Sequence, residues 1–356
     1  VVVLGLTLAS SSVWAEDPSW QGRFDAGWEA YQQGRYDEAE RLLGAAEREA
    51  KSFPLDDPRR AAVADRLAWV DFAQGKLASA EARARGALAE REARAGSMPR
   101  DLAQSLNTLA CLLDAQGRLD EAEPLYKRAL AIEEKVRGPE HPSVAALLDN
   151  LAALYHAQEQ FARAEPYYRR ALAIREKIQN EHDLAPTVYN LAVLYFDQGA
   201  YPAAEPLFRR ALALREKVLP RDHPEVAASL SGLAALYAKL DQNTKAEPLF
   251  RRALVILETA YGGDHPEVAR CLTKLARVYS AQGEFNRAEP LCRRALAIHE
   301  KTPTPADPGL IETLEDFAVL LRNLERPEEA ARLDDRARAI RRQQRDSEPL
   351  HAERSA

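Results

Sequence analysis

The chain has 356 residues, 46% hydrophobic and 29% charged, a balance that folds rather than one that stays disordered. Its formal net charge of −6 argues against generic binding to nucleic acid or to an anionic membrane, both of which rest on summed positive charge. Only 16 glycines and few segments rich in Val, Ile and Thr point to helices.

The opening stretch VVVLGLTLASSSVWAED has an apolar core over residues 1–9, then Val13-Trp14-Ala15, which places small or moderate side chains at the two positions a signal peptidase reads. Residues 1–15 resemble a secretory signal peptide cut before Glu16, although the charged leader that normally precedes the apolar core is absent. The segment is too short to span a membrane, which takes ~20 residues. The expected destination is therefore the periplasm or the exterior, and the cytoplasm if this segment is not a leader.

Beyond it the chain repeats one phrase. EAEPLYKRALAIEEK from Glu121 returns as RAEPYYRRALAIREK from Arg163, AAEPLFRRALALREK from Ala203, KAEPLFRRALVILET from Lys245 and RAEPLCRRALAIHEK from Arg287. The alanine of this phrase stands at Ala39, Ala80, Ala122, Ala164, Ala204, Ala246, Ala288 and Ala330, with steps of 41, 42, 42, 40, 42, 42 and 42. A second marker, Leu67, Leu109, Leu151, Leu191, Leu233, Leu275 and Phe317, keeps the same steps, so eight tandem units are expected. Their bounds are residues 20–56, 60–96, 101–138, 142–179, 183–220, 224–262, 266–303 and 308–345, with residues 346–356 expected to be a mobile tail.

Each unit reads as two helices. In the fourth, Val144, Leu147, Leu148, Leu151, Leu154 and Tyr155 recur at helical spacing after Pro142, which suits a first helical position. A break at residues 158–160 corresponds to Gln-Gly in sister units, and a second helix follows from Phe161. Pro124, Pro166, Pro206, Pro248 and Pro290 fall past the first turn of the second helices and are expected to bend them. Glu123 with Lys127, Glu165 with Arg169, Glu205 with Arg209, Glu247 with Arg251 and Glu289 with Arg293 are acid-before-base pairs four apart, so the Arg-Arg doublets read as a self-paired face. Cys111, Cys271 and Cys292 lack metal spacing and read as core, with pairing of Cys271 and Cys292 as the alternative in an exported chain.

Gly117-x-Leu119-x-x-Ala122 and Gly283-x-Phe285-x-x-Ala288 resemble the turn and second-helix signature of tetratricopeptide repeats. The long period and the loops His141-Pro142, His223-Pro224 and His265-Pro266 resemble the 42-residue subclass found in kinesin light chains, most strongly over residues 101–301. The resemblance implies an all-α, right-handed superhelical solenoid of about eight antiparallel helix pairs over residues 16–345. The first helices would line a concave groove for a peptide or partner protein.

The resemblance puts positions two before, two after and five after the Leu marker on that groove, together with some immediately before it. The candidate binding residues are Trp28, Tyr31, Trp69, Phe72, Asn107, Asp149, Asn150, Tyr189, Asn190, Phe196, Arg270, Lys274 and Arg277: aromatic at the N-terminal end, amide-rich in the middle, basic near the sixth marker. The paired asparagines of kinesin light chains are not reproduced, since Asn107, Asn150 and Asn190 stand singly. No phosphate loop, Gly-x-Ser-x-Gly or HExxH motif occurs, and the repeated His residues mark structural restarts. The expected function is a non-catalytic scaffold for a protein or peptide, with no cofactor, metal, nucleic acid or stable membrane span. An RNA-binding helical repeat and an accessory subunit of a separately encoded enzyme are the alternatives.

Overall fold

The computed structural model describes residues 18–93, 99–178, 180–301 and 308–347. The expected leader (1–15) and residues 348–356 of the expected tail lie outside them. The described residues form helices alone, in consecutive pairs. The first four pairs are α1 (Pro18–Gln32) with α2 (Tyr36–Ala50), α3 (Pro58–Ala73) with α4 (Leu77–Glu92), α5 (Pro99–Ala115) with α6 (Leu119–Arg137), and α7 (Pro142–Ala157) with α8 (Phe161–Ile178). The remaining four are α9 (Glu181–Asp197) with α10 (Tyr201–Val218), α11 (Pro224–Lys239) with α12 (Asn243–Tyr261), α13 (Pro266–Ala281) with α14 (Phe285–Lys301), and α15 (Pro308–Asn323) with α16 (Pro327–Ser347).

The chain divides into two compact units, one ending at Asn180 and the other beginning at Glu181, each holding four pairs. Within each, a first helix packs on its own second helix, and that second helix packs on the first helix of the next pair. This is the one-dimensional stacking of an α-solenoid, in which no pair can bury its apolar stripe alone.

The repeated residues are the core. All eight marker alanines are fully buried, as are Ala129, Ala171, Ala211, Ala253 and Ala295, about two turns further along the second helices. Their small side chains let the helices approach, and Tyr126, Tyr168, Phe208 and Phe250 fill the space beside them. The helices continue through Pro124, Pro166, Pro206, Pro248 and Pro290, all of which are exposed. The three cysteines are free thiols buried in the core, so Cys271 and Cys292 pack as small hydrophobes and do not pair.

Turns within pairs share one conformation. Gly117, Gly199 and Gly283 take φ of 77°, 73° and 76°, and the non-glycine residues Glu159, Asp241 and Glu325 occupy the same position at 57°, 56° and 59°. Turns between pairs use a different device. In His141-Pro142, His223-Pro224 and His265-Pro266 the imidazole is the N-cap: Nδ1 accepts the backbone N–H of Ser143, Glu225 or Glu267 at 3.2 Å, and proline supplies the first helical residue. Asp57-Pro58 does the same with a carboxylate, accepting from the Arg59 N–H at 2.9 Å.

An imidazole can cap only while Nδ1 is unprotonated. Burial, with Arg137 and Arg100 adding to it and Glu133 opposing it, lowers the His141 pKa from 6.5. Burial and Arg270 do the same for His265. A folded-state pKa held below the unfolded value means that the stabilisation is complete above pH 6.5 and is lost as pH falls through the lowered folded value. Caps of this kind contribute ~1 kcal/mol each. Thermal melts at pH 7.5 and 5 should therefore show an acid loss that His141→Asp/His265→Asp reduces. An equal loss in both proteins would place the acid sensitivity elsewhere.

Candidate protein-interaction face

The first helices present the groups that neighbours do not cover. Most positions one before and two after the Leu marker are partly or fully exposed: Arg66 and Trp69 on α3, Ala153 on α7, Asn190 and Val193 on α9, Gly232 and Ala235 on α11, Lys274 and Arg277 on α13, Asp316 and Val319 on α15. On α5 the corresponding Thr108 and Cys111 are buried. Positions two before and five after the marker lie on an adjoining face, rotated by roughly 80° at 100° per residue. On it Asp65, Asn107, Asp149 and Thr273, two before their markers, are buried, whereas Phe72 and Phe196, five after, are half-buried.

Three of the expected groove residues are consequently corrected. Asp149 is 2% exposed and ion-paired with Arg175 of α8 at 2.8 Å. Asn107 is 5% exposed and accepts a hydrogen bond from Asn150 Nδ2 at 2.9 Å across successive pairs. Asn150, 8% exposed, is spent in that contact. These amides join repeats instead of offering free groups to a ligand. For Asp149 the register is the cause: two before the marker it faces the second helix of its own pair, as Asp65 on α3 does by bonding Arg91 of α4; Asn107 and Asn150 are covered by their contact with each other across successive pairs.

The basic end is also modified. Arg277 donates to Asp316 Oδ2 at 3.0 Å and Glu312 Oε1 at 2.7 Å on α15, and Arg270 pairs with Glu267. Of the three cations, Lys274 alone has no salt bridge among the described residues. Tyr189 is half-buried, with its ring edge-on to Phe208 at 5.7 Å and the buried Arg215 guanidinium 4.6 Å from its centre. Phe196 packs on Phe208 and Tyr201. Asn190 remains half-buried beside them.

The aromatic end stays open. Trp28 and Tyr31 of α1 stack at 4.6 Å, and Trp69 and Phe72 of α3 meet edge-on at 6.1 Å. All four are half-buried. Trp20 and Phe24, by contrast, are core: Trp20 donates its N–H to the Ala46 carbonyl at 3.0 Å. Sequence reasoning missed Arg66, which stands over Trp28. The signal was available in the register, because Arg66 precedes its marker as Asn150 and Asn190 precede theirs.

The second helices carry a different surface. Glu123 accepts from Lys127 of its own helix at 2.7 Å, and also from Tyr155 Oη at 2.8 Å and Arg163 at 2.9 Å in the next pair. Glu247 repeats this with Tyr279 and Arg287, and Glu205 with Tyr237. Arg169, Arg209 and Arg293, first in their doublets, pair four residues back within the helix. The second arginines reach the preceding second helix: Arg170 to Glu134, Arg252 to Glu216, Arg294 to Glu258. Each exposed pair contributes ~0–1 kcal/mol, so this lattice sets neighbour register more than stability.

A Tetratricopeptide repeat model matches residues 101–177, 183–256, 225–301 and 278–343, and a second model of the same description matches residues 20–45. The chain belongs to the tetratricopeptide repeat family. Its fold is similar to BtubC (BKLC) from P. vanneervenii, at 22% identity and TM-score 0.53 over 67% of this chain and 94% of that one. It is also similar to a kinesin light chain from Podosopora anserina with nearly identical TPR-like repeats, at 29% identity and TM-score 0.50 over 58% of this chain and 99% of that one. A Rap protein complexed with Competence and Sporulation Factor shares the fold at 16% identity, TM-score 0.60, covering 92% of this chain and 98% of its own. No curated protein sequence matches the chain. The tetratricopeptide architecture, with neighbours among kinesin-light-chain-like repeat proteins, thus agrees with the resemblance seen in the sequence.

Proposed function

We propose that this tetratricopeptide chain is a non-catalytic scaffold that holds a peptide or a segment of a partner protein against the open edge of its first helices. The carrying observation is the cluster of Trp28, Tyr31, Trp69 and Phe72, four half-buried rings on two successive first helices. Large, stiff aromatic side chains give much contact area for little lost rotamer freedom, which makes them favoured anchors. The pairing of the second arginines with carboxylates of neighbouring helices supports a polypeptide partner over RNA, because an RNA ladder needs unpaired cations.

The test is affinity capture from native extract with the wild-type chain and with Trp28→Ala/Trp69→Ala. The wild type should retain a partner that the variant loses while melting at a similar temperature. Identical partner lists would remove this face from the function. Export through residues 1–15 belongs to the same proposal, and N-terminal sequencing of the native chain should find Glu16 first.

A further inference from the structure

The last pair departs from its sisters on the side that a following pair would cover. Elsewhere an acid near the end of one second helix takes an arginine of the next, from Glu92 with Arg128 to Glu258 with Arg294 and Glu300 with Arg336. Arg342 stands 42 residues after Glu300, so the sign at this position is reversed on α16. Glu289, which accepts from Arg326 at 2.7 Å, has Ala331 as its counterpart. Both acids that would stitch a further pair are therefore missing. Arg342 is exposed and makes no ion pair among the described residues.

The inner half of the seam is kept. Arg341 pairs with Glu315 of α15 at 2.6 Å, in the register in which Arg91 meets Asp65 and Arg175 meets Asp149. Over Arg91 lies the next first helix, α5, whose Asp101 carbonyl and Ser105 hydroxyl accept from it at 2.7 and 2.6 Å. The Arg341 and Glu315 side chains stay 49% and 41% exposed, against 5% and 1% for Arg91 and Asp65. Ile340 is half-buried, whereas its counterparts Ile298 and Ile256 are buried. This end of the stack is a seam without its cover, and its rim is basic.

We propose that this face docks a helix of a partner protein, which lays an apolar side chain on Ile340 and sets a carboxylate against Arg342. The surface continues the seams between pairs, so the shape that receives a helix is already built. Charge then selects which helix. A further pair made like the others would bring its own second arginine against Arg342, and like charges at that spacing repel. The inference concerns a different surface from the aromatic face of α1 and α3 and does not depend on it.

The experiment displays a folded three-helix bundle with one helix face randomised and selects it on the purified full chain. Wild type, Arg342→Glu, Ile340→Ala, Trp28→Ala/Trp69→Ala and a chain shortened to end at residue 347 are compared. Wild type should enrich, at least about tenfold over input, a class of bundles with Asp or Glu beside an apolar residue. Members of that class should bind about tenfold more weakly to Arg342→Glu, and more weakly to Ile340→Ala. They should bind unchanged to Trp28→Ala/Trp69→Ala. The Arg342→Glu chain should enrich bundles with Lys or Arg in their place.

A wild-type chain that yields no class sensitive to Arg342→Glu would overturn the proposal. An acidic class lost only with Trp28→Ala/Trp69→Ala would overturn it too, while leaving the aromatic face standing. A class bound by the shortened chain and refused by the full chain would make residues 348–356 the occupant and remove the partner. Sedimentation reads the remaining case: a wild-type dimer dissolved by Arg342→Glu would give the face to a second copy and sink the assignment.

Discussion

Arg91→Ala is expected to cost about 3–5 kcal/mol, because it strands Asp65 in the seam between the second and third pairs. Asp65 is 1% exposed and Arg91 5%, so water replaces neither. Burial already raises the Asp65 pKa above its usual 3.8, opposed by Arg91, Ser105 and Arg66, and removing the Arg91 guanidinium takes away the largest opposing influence. The variant should bind a proton at Asp65 to escape the penalty. A folded-state pKa above the unfolded one stabilises at low pH and stops doing so as pH rises through it, so the deficit should shrink on acidification. Denaturant titrations of wild type and variant at pH 7.5 and 5 measure both effects. Asp65→Leu/Arg91→Met should recover most of the loss, since replacing a buried pair by apolar groups is often neutral. A double variant as unstable as the single one would show that the seam depends on the ion pair itself.

Gly232 supports the second large effect. A Cβ there would sit 2.6 Å from Cε1 of Phe208 and 3.2 Å from Cε2 of Tyr189. The three residues come from α11, α10 and α9, so the absent side chain is what lets the third helix close over the preceding pair. Gly232→Ala should cost about 1–3 kcal/mol by overpacking, although alanine is the better helix former. Phe208→Ala, which empties a site 1% exposed, should cost about 3–5 kcal/mol. Combining Gly232→Ala with Phe208→Leu should restore part of the overpacking cost, and the deviation from additivity in thermal melts measures the coupling. Strict additivity would mean that the two sites do not compete for space.

The architecture was legible because its signal is redundant. Two landmarks advance together through the chain, and a residue buried in one pair is buried in its sisters, as the eight marker alanines show. The local charge pairs were legible for the same reason, since spacing of four residues fixes a helical neighbour regardless of tertiary context. Contacts between pairs were not. Nothing in the second-helix phrase says that Glu123 also meets Tyr155 and Arg163, because that depends on how far successive helices are offset.

The candidate site was legible at its aromatic end and misassigned in the middle. Trp28 and Trp69 are half-buried, whereas Trp20, with the same ring, is fully buried, so ring size alone does not mark the open edge. Asn107 and Asp149 have polar side chains that look destined for solvent, yet they find acceptors and donors within the stack. An offset of a single residue on a helix separates these outcomes: Arg66 and Asp65 are adjacent in sequence, one at the rim and one sealed inside. Composition cannot distinguish them. Only the partner waiting across the seam does.

The restart between pairs has a consequence for how such a chain could lengthen. His141, His223 and His265 each start their helix with atoms drawn from two or three consecutive residues, so the start signal travels with the segment it initiates. The arginine stitches likewise join only adjacent second helices, from Arg252 to Glu216 and from Arg294 to Glu258. A duplicated 42-residue cassette would bring its own initiator and present the same docking groups to whatever precedes and follows it. Array length is then free to drift by whole cassettes under recombination, and the steps of 40 and 41 residues show that the turns between pairs absorb small changes in length, while an insertion inside a helix breaks the phase of that pair's own contacts.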